Sequence, residues 1–144
     1  YGARTSFVGS FVPGYFIASS NVRSTATEES VQIFKDLMQS YREGISDDEL
    51  EFTKNALVKS NAREFETLRS LIGMLENISM YDLPFDYVKG EEETVINMDL
   101  DQHKELAQKY IDPSKMYYVV VGDAATQMEP LANLGFGEPV LVSQ

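Results

Sequence analysis

The 144-residue chain contains no cysteine. Disulfides, thiolate metal sites and cysteine nucleophiles are excluded together by that absence. Histidine is nearly missing as well: His103 stands alone. Zinc sites built on histidine draw on two or three of them, and a Ser-His-Asp set would have to be assembled around this one residue. His103 shares a helical face with Leu100, Ala107 and Tyr110, where a half-buried structural imidazole is the expectation. Positive charge is scarce, with 12 Lys and Arg against 23 Asp and Glu, a net charge of −11 and a pI near 4.4. A surface of that sign repels phosphate backbones, and no basic stripe offsets it, so neither nucleic acid nor an anionic membrane is expected as a partner. Acidity of this kind serves solubility. No apolar run approaches the ~18–20 residues that span a bilayer, and no basic region followed by an apolar stretch marks an export signal.

What is present is a well-patterned globular sequence, 43% hydrophobic with eight Tyr and eight Phe, enough to build one core. The opening "YGARTSFVGSF" alternates, with Phe7, Gly9 and Phe11 on one side, and Pro13-Gly14 marks a turn into a second strand over residues 15–22. That is a β-hairpin. Thr25 and Glu28 have capping-box spacing ahead of a helix carrying Val31, Phe34, Leu37, Met38 and Tyr41, which Gly44 ends. Ser46 and Glu49 repeat the box, and Asp47, Asp48 and Glu49 suit the positive end of the helix dipole. The pattern continues through Leu68, Leu71, Ile72, Leu75 and Ile78 as a further helix after a bend near residues 60–66, and Pro84 stops the run. Residues 85–99 read as a short helix and a loop. Asp99 and Gln102 announce another helix, closed by Pro113.

"KMYYVVVGD" has the length and β-branching of a buried strand. A short helix around "QMEPLANLG" and a last strand "EPVLVSQ" complete the order. Strands at both ends with helices between them predict an α+β domain over residues 1–144, an antiparallel-rich sheet with helices packed on one face. The strand count is small for so much helix, and the sheet reads as truncated before Tyr1.

No stretch holds a self-contained active site. "DLDQHKELAQKY" echoes a calcium loop but lacks the glycine at its sixth position and reads as helix. Glu91, Glu92 and Glu93 read as a solvated run, Gly122-Asp123 as a turn rather than a nucleotide fingerprint, and "LGFG" as a helix stop. Arg4 reads as an exposed strand charge.

"YGARTSF", "SDDELEFTKNALVKS", "YDLPFDY", "LDQHKELAQKYIDPSKMYYVVVGD" and "MEPLANLG", in that order and spacing, resemble the C-terminal, non-zinc domain of the M16 metallopeptidases (insulinase, pitrilysin and mitochondrial processing peptidase), in their bacterial processing-protease-like branch. The likeness runs over essentially the whole chain. It implies the α+β fold of that family and a role as the substrate-embracing half of a clamshell that closes on extended peptides. The zinc, its His-x-x-Glu-His motif and the general base belong to the opposite domain or subunit. None of that motif occurs here, so neither catalytic nor metal-binding residues are expected in this chain.

By the same resemblance Tyr1 is the substrate-binding residue, a phenol placed to donate a hydrogen bond to the substrate carbonyl or the developing oxyanion. Its arginine partner would lie seven residues upstream, outside the chain. Read without the resemblance, Tyr1 is a strand residue at a terminus.

The expected partners are a zinc-bearing M16 domain or subunit and an extended peptide. Unpaired strand edges add an expectation of self-association. The compartment stays open between bacterial cytoplasm and periplasm. Two other roles fit the residues: a scaffold or inert subunit of a non-enzymatic M16 relative, and an acidic module that binds a protein through an exposed edge strand.

Overall fold

The structure is a computed structural model that describes residues 2–142, without the side chains of residues 61–64. Tyr1, the one expected substrate contact, therefore lies outside the described residues, as do Ser143 and Gln144. The chain is α+β. Its described residues form a two-stranded antiparallel sheet, β1 (Ala3–Val8) and β2 (Tyr15–Ser20), and six helices: α1 (Thr27–Tyr41), α2 (Asp47–Glu64), α3 (Leu68–Tyr81), α4 (Tyr87–Asn97), α5 (Leu100–Tyr110) and α6 (Ala124–Ala132). They fall into two units. Unit 1 joins the two ends of the chain, Tyr1–Arg42 and Gln108–Gln144, and unit 2 is the continuous stretch Glu43–Ala107.

In unit 1 the expected hairpin is present, in register from Ala3 opposite Ser20 to Val8 opposite Tyr15. Phe7 and Phe16, directly opposed, hold their rings 5.1 Å apart, and the Tyr110 ring meets Phe7 edge-on at 6.4 Å. The first strand is shorter than expected. It ends at Val8, and Gly9 and Phe11 belong to the loop over residues 9–14. Gly14 explains the early ending: a Cβ there would stand 2.0 Å from the Val8 carbonyl oxygen, so the loop folds back onto the strand end where only glycine fits.

Helix α1 also starts differently from its sequence signal. A 3-10 turn over Ser24–Ala26 precedes it, with the Ala26 N–H donating to the Arg23 carbonyl and the Thr27 hydroxyl to the Ser24 carbonyl. The turn supplies the first hydrogen bonds, the helix begins at Thr27 and its N-cap, Ala26, carries no side-chain cap, so the Thr25–Glu28 box is not made. Met38 is the buried residue of this helix.

Two long-range ties hold unit 1 together. Buried Gln127 of α6 donates through Nε2 to the Ser24 carbonyl at 3.1 Å. The Arg42 guanidinium donates to the carbonyls of Gln108 (2.8 Å) and Ile111, and the Gln108 amide returns a bond to the Arg42 carbonyl. A cation on the last carbonyls of α5 satisfies groups the helix leaves open, at its negative end.

Unit 2 is built from locally signalled helices. At the start of α2 the Ser46 N–H and hydroxyl donate to the Glu49 carboxylate at 2.9 and 2.8 Å, and the Glu49 N–H donates back to Ser46 Oγ at 3.3 Å. At the start of α5 the Asp99 N–H donates to Gln102 Oε1 at 3.0 Å, and the Gln102 N–H donates to Asp99 Oδ1 at 2.8 Å. Both capping boxes read from sequence are made. The break expected near residues 60–66 falls between Glu64 and Leu68, where Thr67 Oγ1 accepts from the Ser70 N–H and caps α3. Asp82 closes α3 in the left-handed region, at φ 51°, a conformation that Asp tolerates better than most residues. Within the unit α2 packs on α4, and Leu50, 6% exposed, is its most buried large side chain.

The sheet is the main departure from expectation. Residues 116–121 and 138–142, both anticipated as strands, join no sheet among the described residues. A strand signal encodes an extended, apolar, β-branched stretch; it does not encode the partner, which must come from elsewhere. These two stretches have the composition without the ladder.

Candidate functional site

Two surfaces stand out, one in each unit. In unit 2 an open groove of about 600 Å³ runs between α2 and α4. Leu57 and Val58 of α2, Leu83 and Pro84 of the turn after α3, and Tyr87 and Val95 of α4 supply apolar walls. Glu91 and Glu92 also line it. The groove exists because Pro84 and the turn at residues 84–87, where the Tyr87 N–H donates to the Pro84 carbonyl, send α4 back along α2. Beside that turn Phe85 is 90% exposed, an aromatic ring held in water next to an apolar recess.

The charge around it is one-sided. Unit 2 holds sixteen of the 23 acidic residues and six of the 12 basic ones, a net of −10, while unit 1 is close to neutral with seven acidic and six basic residues. Almost all of the protein's excess charge thus belongs to the unit with the groove. Such a field raises the local concentration of cationic ligands and lengthens the reach of encounter.

In unit 1 the surface is the extended stretch at residues 116–121. Its burial alternates with the period of a strand: Tyr117, Val119 and Val121 are 96%, 84% and 96% exposed, while Met116, Tyr118 and Val120 are half-buried. On the covered side the Tyr118 ring stacks on Phe136 with centroids 4.5 Å apart and planes within 9°, and Lys35 Nζ sits 4.5 Å from the centre of the same Phe136 ring. Burial raises the Tyr118 phenol above its ordinary pKa. Gly135 and Gly137, at φ 73° and 100°, flank Phe136 and set the tight turn that delivers it. The "LGFG" stretch is therefore a ring-positioning loop as well as a helix stop. Among the described residues, none hydrogen-bonds to the backbone of residues 117–121.

The residues weighed from sequence are placed as follows. His103 is half-buried on α5, and Arg4 is exposed on β1. Asp123, read as part of a turn, caps α6 by accepting from the Ala125 N–H at 3.1 Å. The structure brings Glu91 and Glu92 to the groove, where the sequence suggested a plain solvated run; Glu91 stands one helical turn, four residues, after Tyr87. Among the described residues no group of three His, Cys, Asp or Glu side chains is placed to hold a metal ion. Likewise no described helix is long and apolar enough to cross a membrane. A scan against protein-family models and searches of curated proteins and of solved structures return no match.

Proposed function

We propose that the chain is a non-catalytic peptide-binding component, the substrate-embracing half of an M16-type zinc peptidase whose metal and general base reside in another domain or subunit. The observation that carries the peptide-binding part is the α2–α4 groove, apolar in its walls and bordered by Glu91 and Glu92 in a unit of net charge −10. Apolar walls take an aliphatic or aromatic side chain, and the acidic surroundings favour a peptide with Lys or Arg on either side of that anchor. The M16 part rests on the order and spacing of the sequence stretches that resemble that family.

The charge concentration equally favours a second reading, an acidic module that binds a folded basic protein. The two readings part on the state of the ligand, since an unstructured peptide with one anchor should suffice for the first and not for the second.

Fluorescence anisotropy with a labelled unstructured peptide, one Leu or Phe flanked by lysines, tests the proposal. The expected result is saturable binding that weakens with salt, a roughly tenfold loss for Tyr87→Ala, and an intact peptide after incubation with or without zinc. A glutamate-flanked peptide is expected to bind far more weakly. No binding of the lysine-flanked peptide, or zinc-dependent cleavage by this chain alone, overturns it.

A further inference from the structure

The groove of unit 2 holds its charge at an ordered position. Tyr87, Glu91 and Val95 of α4 line it, and residues four apart stand one above the other on a helix face. The helix thus presents a ring, a carboxylate and a branched side chain in one row. Tyr87 and Val95 at the ends of the row are half-buried, and Glu91 between them is exposed. Gly90 and Thr94, also in the lining, form the neighbouring row. Nothing lies within 4 Å of the place a Cβ on Gly90 would take, and the Thr94 hydroxyl donates to the Gly90 carbonyl at 2.8 Å. Glu91 therefore has open space on that side, and the nearest hydroxyl of that row is spent within the helix.

The three consecutive glutamates are not equivalent. Glu93 lies outside the lining and pairs with Lys89 at 3.7 Å. Glu92 is in the lining but about 100° further round the helix, off the row. Glu91 makes no hydrogen bond or ion pair among the described residues, and no described lysine or arginine lines the groove. A free carboxylate set between two apolar contacts is complementary to a cation set between two apolar side chains.

The spacing fits one kind of ligand. From Tyr87 to Val95 the helix rises about 12 Å, at 1.5 Å per residue. Residues four apart in an extended peptide are separated by about 13.6 Å, at 3.4 Å each, and share a face with the residue midway between them. We infer that the groove selects an extended segment of the pattern apolar–x–basic–x–apolar, and that Glu91 is the specificity-determining residue for its central basic position. This order of contacts rests on the peptide-binding reading of the same groove and sharpens it, from one anchor with cations beside it to two anchors with a cation between them.

Competition against the labelled lysine-flanked peptide, with the full chain, tests the pattern. Unlabelled peptides of serine and glycine carry Leu-Ser-Lys-Ser-Leu, the same residues with the lysine moved outside the leucines, or Leu-Ser-Gln-Ser-Leu. The first is expected to compete about two- to fivefold more strongly than either of the others, the effect of one exposed ion pair. Glu91→Gln is expected to abolish that preference, and Glu91→Lys to turn it toward Leu-Ser-Glu-Ser-Leu. Glu76→Gln, the same change of charge on α3 outside the groove, is expected to keep it. Equal competition by the centred and displaced lysines, or a preference that survives Glu91→Gln, overturns the pattern while the labelled peptide still binds. Failure of the labelled peptide to bind at all overturns the peptide-binding reading and the pattern with it.

Discussion

Unit 2 is assembled from neighbours in sequence, whereas unit 1 is assembled from the two ends of the chain. Helices α2 and α5 each open on a capping box complete within four residues, Ser46 with Glu49 and Asp99 with Gln102. The ties of unit 1 span far more: Gln127 reaches Ser24, and Arg42 reaches Gln108 and Ile111. The charge divides the same way, with the acidic excess in unit 2 and near neutrality in unit 1. Local signals make helices and leave their outward surface free to carry charge. Non-local closure needs buried donors and apolar faces, and it leaves edges when a partner strand is lacking.

The largest test of this contrast is at Leu50. Truncating this buried side chain with Leu50→Ala is expected to cost about 2–5 kcal/mol, and hydrogen exchange should quicken in α2 and α4 while α6 keeps its protection. If α6 loses protection equally, the two units open as one and the contrast collapses.

The mirror experiment is Gln127→Leu, which removes the long-range donor from the Ser24 carbonyl and leaves it only the local Thr27 hydroxyl and N–H. A loss of about 0.5–1.5 kcal/mol is expected, seen as faster exchange in α6 and at the Ser24 turn, with α2 and α4 unchanged. Loosening of α2 to the same degree would show that the tie serves the whole chain.

The smallest effect is a pH dependence at the start of α2. Hydrogen bonds from the Ser46 backbone N–H, then from its side chain, hold the Glu49 carboxyl below its ordinary pKa. A carboxyl lower in the folded than in the unfolded chain stabilises the fold above the unfolded value, about 4.3 for glutamate, and that stability is lost as pH falls through the folded value. Glu49→Gln keeps an acceptor in the box but removes the titration. Its melting temperature is expected to fall less steeply than that of the parent between about pH 5 and 2, and parallel curves would remove Glu49 from the acid response.

The same division explains what could be read in advance. The hairpin, two capping boxes, the helix break before Leu68 and the α+β class were legible because each depends on residues a few positions apart. The Thr25–Glu28 box was misleading because a 3-10 turn, invisible as a pattern, supplied the same hydrogen bonds first. The early end of β1 turned on a single backbone approach at Gly14. Residues 116–121 announced a strand correctly as to chain extension and wrongly as to pairing, since pairing is a property of what lies alongside. The groove was not legible at all: its walls come from Leu57 and Val95, 38 positions apart, and no spacing rule joins them.

The mutual hydrogen bonds of Arg42 and Gln108 carry one more consequence. Residues 43–107 leave and rejoin the rest of the chain at this one point, so they form an excursion whose length the closure hardly senses; doubling it would add only about 0.6 kcal/mol of loop entropy. A change of length in that excursion therefore costs the closure little. Residues inserted at an exposed turn within 43–107 are thus expected to leave the clasp and the ends it joins as they are, which makes this stretch the place where the chain best tolerates added length.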